Sequence, residues 1–189
     1  MAGNYAEAAH YVDMALGEFL SDLKTRGLYE NSLIIIYGDH NSVPRDQTEM
    51  LADLINFRFN EYNWTKLQRS PCFIICPGLN EKGVSSTICG QLDLLPTIAN
   101  LMGFKTPNAL GRDIFNTEEG YAVLRNGSIV TNDFVYTSAH DITYDHKGKI
   151  LEACSNSIIK KYGQILEVSD IILRKNALDS FEQLRALKK

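Results

Sequence analysis

The chain has 189 residues, enough for one domain with a real apolar core. Hydrophobic residues make up 44% and charged residues 22%, and the formal net charge is −4, which argues against the basic face of a nucleic-acid-binding domain. No apolar run reaches the ~18 residues that cross a bilayer, and the first ten residues lack a basic start followed by an apolar block, so the chain as given reads as soluble.

In chain order, residues 5–26 predict an amphipathic helix. Ala8, Val12, Ala15, Leu16, Phe19 and Leu23 recur at three- and four-residue spacing, and Gly27 is a natural stop. Residues 33–37 are a short continuous apolar run, the pattern of a strand covered on both faces in a parallel sheet. It ends abruptly in Gly38-Asp39-His40-Asn41. Residues 47–59 predict a helix with Met50, Leu51, Leu54 and Ile55 inward, followed by a polar stretch to Arg69. Residues 72–76 predict a second buried strand closed by Pro77-Gly78, and residues 85–90 a short extended piece. Asp93 reads as the N-cap of a helix over 94–102, with Pro96 in its first turn and Gly103 as its stop.

From Tyr121 the pattern changes. Asn126-Gly127 lies between two apolar runs as a hairpin turn, and a second strand pair is expected around His146-Lys147-Gly148. Residues 156–187 predict a long helix with Ile158, Tyr162, Ile165, Val168, Ile172, Leu178, Phe181 and Leu184 on its apolar face. Alternating helices and buried strands predict an α/β fold: a doubly wound, mostly parallel sheet flanked by helices, with an antiparallel hairpin region and a long C-terminal helix. We treat residues 1–189 as a single domain: an α/β part over 1–120, a β-hairpin region over 121–155 and a terminal helix over 156–189.

Cys72, Cys76, Cys89 and Cys154 show no C-x-x-C spacing, and Cys72 and Cys76 lie too far apart along one strand for a disulfide. They are expected to be buried, reduced thiols. Asp39 and His40 are the most chemical pair. A carboxylate and an imidazole at the carboxyl end of a strand can share one divalent cation; taken alone, such a short motif more often holds a turn cap beside a loop residue. Arg69 reads as solvated, His10 as a boundary residue of the first helix, and His140, Asp141, Asp145 and His146 as surface residues. No G-x-S-x-G, phosphate-cradling glycine loop or H-E-x-x-H is present.

Three phrases in order then matter: YVDMALGEFLSDLKTRGLYENSLIIIYGDH at 11–40, LQRSPCFIICPG at 67–78 and GQLDLLPTIANLMG at 90–103. Together they resemble the C-terminal half of the sulfatase family, within the alkaline phosphatase superfamily. YVDMALGEFL, LRNGSIVT (124–131) and LEVSDIILRKNAL (166–178) favour the lipoteichoic acid synthase group of phosphoglycerol transferases. The resemblance covers nearly the whole chain and implies the C-terminal portion of an alkaline-phosphatase-like fold. It implies that Asp39 and His40 are ligands of a catalytic metal, Mn²⁺ with Mg²⁺ as substitute. It also implies transfer of glycerol phosphate from phosphatidylglycerol to a glycerol-phosphate polymer by way of a threonine nucleophile, on the extracellular face of the cell membrane. By the same resemblance the nucleophile, the first acidic ligand and the membrane anchor lie upstream of this segment. No catalytic residue is assigned in this chain, and the piece by itself is expected to be inactive. The family often has Tyr-Gly after Asp-His, whereas Asn41-Ser42 follow here. The alternatives are a sulfuric-ester or phosphodiester hydrolase of the same superfamily, or a non-catalytic binding module of that fold.

Overall fold

The chain was analysed as a computed structural model, which describes residues 2–40, 45, 55–79, 82–152 and 155–176. It divides into two compact units, Met1–Val84 and Ser85–Lys189.

In the first unit α1 runs over Ala2–Thr25, close to its predicted bounds. Leu16 and Leu23 are half-buried, but Val12 and Phe19 remain exposed, so the stripe reads correctly as helical while only part of it is covered among the described residues. A 3-10 turn over Tyr29–Asn31 leads to β1, Ile34–Tyr37. The helix predicted over 47–59 lies largely outside the described residues; Ile55, expected inward, is exposed.

The next element is α2, Glu61–Leu67, within the stretch read only as polar. Asn60 caps it, its side-chain oxygen accepting from the Asn63 amide at 2.7 Å, and Tyr62, Trp64 and Thr65 are buried. Then β2, Cys72–Ile75, pairs with β1. The pairing is antiparallel, with Ile34 opposite Ile75 and Tyr37 opposite Cys72, in place of the expected parallel neighbours. An apolar run reports burial and leaves strand direction open. Burial itself is partial: Tyr37 and Phe73 are exposed, because these strands pair only with one another among the described residues. Cys72, Cys76 and Cys89 are free thiols as expected, but Cys72 and Cys89 are exposed rather than buried. Cys154 lies outside the described residues.

In the second unit residues 85–90 form no strand. A 3-10 turn over Gln91–Asp93 enters α3, Leu94–Met102, which stops at Gly103 in the left-handed region (φ 74°). A four-stranded antiparallel meander follows: β3 Tyr121–Val123, β4 Ile129–Thr131, β5 Val135–Thr137 and β6 Ile142–Tyr144, in that spatial order. The predicted Asn126-Gly127 turn joins β3 to β4, with Gly127 at φ 85°. The turn at His146–Gly148 also forms, and Ile150 bridges back to Tyr144.

Helix α4, Asn156–Lys175, is capped by Ser155 and ended by Asn176 in the left-handed region; Leu178, Phe181 and Leu184 lie outside the described residues. It lays Tyr162, Ile159 and Ile165 on Ile129 and Tyr136, with Tyr121, Val123 and Phe134 around them. The Tyr121 and Tyr162 rings meet at 4.8 Å, tilted by 59°. The α/β class, the hairpin region and the long terminal helix are thus all present.

Candidate metal centre

Asp39 and His40 leave the carboxyl end of β1. Gly38 begins that exit: its amide donates to the Pro71 carbonyl at 3.3 Å, and a Cβ there would meet Ser70 Cβ at 2.8 Å. The backbone therefore lies flat on the segment entering β2, and the next two side chains project outward. Asp39 Oδ1 and His40 Nε2 stand 3.6 Å apart, with the side chains 81% and 80% exposed. Metal–ligand bonds of about 2.1 Å let two donors at such a separation share one ion. One carboxylate oxygen and one imidazole nitrogen are donors that a divalent transition-metal ion such as manganese or zinc accepts. The pair therefore fits a divalent metal as part of a shell. Among the described residues no third His, Cys, Asp or Glu gathers with them.

Elsewhere in the first unit Arg45 and Glu61, which the sequence reading did not single out, form an ion pair. Glu61 opens α2 and is buried, and its Oε1 receives Arg45 Nη2. The Arg45 guanidinium lies over the rings of Phe59 and Trp64, 5.3 and 5.9 Å from their centroids. The signal in the sequence was thin: an Asn60-capped turn with an acidic first residue.

The other candidates are structural. Asp93 does not cap α3 with its side chain. Its carboxylate takes the Gly90 amide at 2.9 Å, the Arg112 amide at 2.7 Å and the Arg112 guanidinium. Arg69 is exposed, as read. The His140–His146 region forms β6 and the turns on either side of it. Asp145 accepts the amides of Lys149 and Lys147 at 2.9 and 2.8 Å, and those bonds, Lys149 first, hold its carboxyl below the usual range. Asp141 accepts from the Tyr136 hydroxyl at 3.0 Å, and His146 Nε2 stands 2.8 Å from the Thr131 carbonyl oxygen. His10 is exposed on α1. No helix among the described residues is long and apolar enough to cross a membrane.

Comparison with known proteins gives the family. Residues 1–104 match the family model described as Sulfatase, and so include Asp39 and His40. Lipoteichoic acid synthase 1 of Bacillus subtilis is 35% identical over 191 residues, covering 98% of this chain and 29% of that protein. Lipoteichoic acid synthase of Staphylococcus aureus is 33% identical over 183 residues, covering 89% and 27%. The crystal structure of the lipoteichoic acid synthase LtaP from Listeria monocytogenes superposes with a TM-score of 0.70 at 29% identity, over 91% of this chain and 46% of that one. The expected alkaline-phosphatase-like α/β fold is borne out by that match. The chain spans less than a third of the length of the curated relatives it matches.

Proposed function

This chain belongs to the sulfatase family, and from that premise we propose that it is part of a phosphoglycerol transferase in which Asp39 and His40 hold a divalent metal, Mn²⁺ with Mg²⁺ as substitute. The observation that carries the reading is the convergence of an exposed carboxylate and an exposed imidazole at the end of β1, inside the matched segment. A metal bound there would supply Lewis-acid polarisation of a phosphoryl oxygen. The chain's own residues do the holding. Gly38 fixes the exit of β1, Asp39 offers a negative oxygen, and His40 offers a neutral ring nitrogen.

The proposed reaction moves glycerol phosphate from phosphatidylglycerol to the terminal hydroxyl of a glycerol-phosphate polymer. The bond from phosphorus to the diacylglycerol oxygen breaks, a bond to the acceptor oxygen forms, and the acceptor proton passes to the departing diacylglycerol. The similarity to three lipoteichoic acid synthases supports this donor and acceptor over a sulfuric ester. Work at the extracellular face of the membrane, with the nucleophile and remaining ligands in sequence that the relatives have beyond the matched stretch, completes the reading.

Two measurements test it. Mn²⁺ binding, followed by loss of the free-ion paramagnetic resonance signal, is expected to be weak in this chain, since two donors without the rest of a shell hold an ion loosely. It is expected to vanish in Asp39→Ala and in His40→Ala. Diacylglycerol release from phosphatidylglycerol vesicles is expected to be absent with this chain alone. Binding that persists unchanged in either variant overturns the ligand assignment, and turnover by the chain alone overturns the placement of the nucleophile elsewhere.

A further inference from the structure

We propose that the crevice at one end of the meander binds a neutral polyhydroxyl compound, a sugar either free or at the end of a glycan. All of its lining residues belong to the second unit, so the inference is independent of the reading of Asp39 and His40 as metal ligands.

The crevice encloses about 470 Å³ and is lined by Ser86, Thr87, Ile88, Glu118, Asn132 and His146. That volume lies within the roughly 300 to 1,000 Å³ of small-molecule sites. The lining comes from the extended segment 86–88, the run into β3, the turn between β4 and β5, and the turn after β6. Backbone contacts hold these stretches together. Gly120 is buried at their meeting point. A Cβ there would fall on Asn132 Oδ1 and lie 2.9 Å from the Ile88 amide nitrogen, so the approach needs glycine. The Asn132 amide donates to the Gly120 carbonyl at 3.1 Å, and its side-chain amide donates to the Glu118 carbonyl at 3.0 Å. His146 Nε2 lies 2.8 Å from the Thr131 carbonyl oxygen; that oxygen can only accept, so the ring donates there. The Asp145 carboxylate takes the Lys147 and Lys149 amides and fixes the turn that carries His146.

The chemistry of the lining selects the ligand class. Among the described residues no lysine, arginine or aromatic ring lines the crevice; Lys147 and Lys149 share the turn of His146 without lining it. A phosphate or sulfate would meet the Glu118 carboxylate with no guanidinium or ammonium to match it. A divalent cation would need several charged ligands, and no group of three His, Cys, Asp or Glu gathers among the described residues. An apolar ligand would find little beyond Ile88. Hydroxyl groups suit what is there. Each both donates and accepts, as do the hydroxyls of Ser86 and Thr87, while the Glu118 carboxylate and Asn132 Oδ1 accept. Among the described residues neither the Glu118 carboxylate nor the Ser86 hydroxyl is taken up by another protein group. The strongest bond expected is from a sugar hydroxyl to Glu118, because an ionised acceptor roughly doubles the strength of a neutral one.

The experiment is solution NMR of the backbone amides of the chain, titrated separately with glucose, methyl α-glucoside and inorganic phosphate, in wild type, Glu118→Gln and Ser86→Ala. Both altered side chains are exposed. Glucose or its glycoside is expected to shift the amides of Thr87, Ile88, Asn132 and His146 and to saturate on the order of 1 mM, because each bond replaces one to water. Glu118→Gln should weaken that binding roughly fivefold and Ser86→Ala about twofold. Phosphate should leave the same amides unmoved.

Glucose binding with the glycoside rejected supports the proposal with a free sugar as the source; equal binding of the two supports it with a glycan end. Absence of saturable shifts with both sugars overturns it, as a crevice that holds only water. Phosphate shifting these amides when the sugars do not overturns it in favour of an anion site. Sugar binding unchanged in both variants overturns the placement, and the proposal with it. Should Glu118→Gln fail to fold, Ser86→Ala decides by the same titration.

Discussion

Arg112 grips the Asp93 carboxylate at both oxygens, Nη2 to Oδ2 at 2.9 Å and Nε to Oδ1 at 3.3 Å, across nineteen residues of sequence. The Arg112 amide adds a third bond at 2.7 Å, and the guanidinium carbon lies 3.4 Å from the centroid of the Tyr121 ring. The Arg112 and Asp93 side chains are 18% and 5% exposed. This is a fork-to-fork pair in a shielded place, and it joins the start of α3 to the strand that opens the meander.

Asp93→Asn keeps the shape and removes the charge, leaving Arg112 shielded without its counter-ion. Breaking one partner of such a pair costs roughly 3 to 5 kcal/mol. The lower figure, about 3 kcal/mol, is expected here because Arg112 keeps its bond to the Tyr121 carbonyl oxygen at 2.7 Å. Urea denaturation of the two proteins measures it. A loss below about 1 kcal/mol, the worth of an ordinary neutral hydrogen bond, would show that the pair contributes no more than its geometry suggests for an exposed one.

A second tie should show itself through pH. Lys161 on α4 donates to Glu119 at 3.0 Å, and the Tyr162 hydroxyl donates to the same oxygen at 3.2 Å. Those bonds, Lys161 first, hold the Glu119 carboxyl below its ordinary 4.5. The same bond raises Lys161 above 10.5. A carboxyl lowered in the folded state contributes stability above its unfolded value, and loses it as pH falls through the folded one. A raised amine contributes below 10.5 and loses its share as pH rises through its folded value. Both side chains are more than half exposed, so the effect is small and weakened by salt. Glu119→Gln should therefore lower the thermal midpoint at neutral pH, and the gap from wild type should close in acid well below 4.5. A gap that stays constant into acid would show that the charge plays no part.

How much of this was written legibly along the chain depends on the range of each interaction. Helices α1, α3 and α4 could be read because their apolar spacing, stops and caps are local: Gly103 ends α3 and Ser155 starts α4 within one turn of the residues they serve. The Asn126-Gly127 turn is local in the same way. Asp93 stands at the N-cap position as read, but a cap and an ion-pair partner have the same chemistry, and only the fold reveals that its carboxylate goes to Arg112 instead of to the helix. The direction of β1 against β2 was hidden for a related reason, since Ile34 meets Ile75 across forty-one positions and its side chain carries no sign of orientation. Helix α2 was missed because its sequence, EYNWTKL, is short and mixes buried aromatics with charges. The Asn60 cap and the acidic residue after it were its local cues. The Asp39–His40 pair was visible as chemistry at a strand end, whereas the Arg45–Glu61 ion pair became visible only in three dimensions.

Two glycines should answer to the same substitution with opposite signs. Gly17 lies inside exposed α1, and an added Cβ would meet nothing within 4 Å. Alanine there narrows the unfolded ensemble and favours helix, so Gly17→Ala is expected to stabilise by roughly 0.5 to 1 kcal/mol. Gly111 precedes Arg112, and a Cβ there would fall on the backbone carbonyl of Leu92 and lie 2.7 Å from the Asp93 amide. Neither atom belongs to a flexible side chain, so relief requires the Gly111 and Leu92 backbones to part. That movement also pulls the Arg112 amide away from Asp93 Oδ1. Overpacking of this kind costs about 1 to 3 kcal/mol, and the upper end is expected because the Arg112–Asp93 pair is strained with it. Thermal melts of the two variants beside wild type give the comparison. A stabilised or neutral Gly111→Ala would mean that the close approach of Gly111 to Leu92 is not required for the Asp93–Arg112 pair to form.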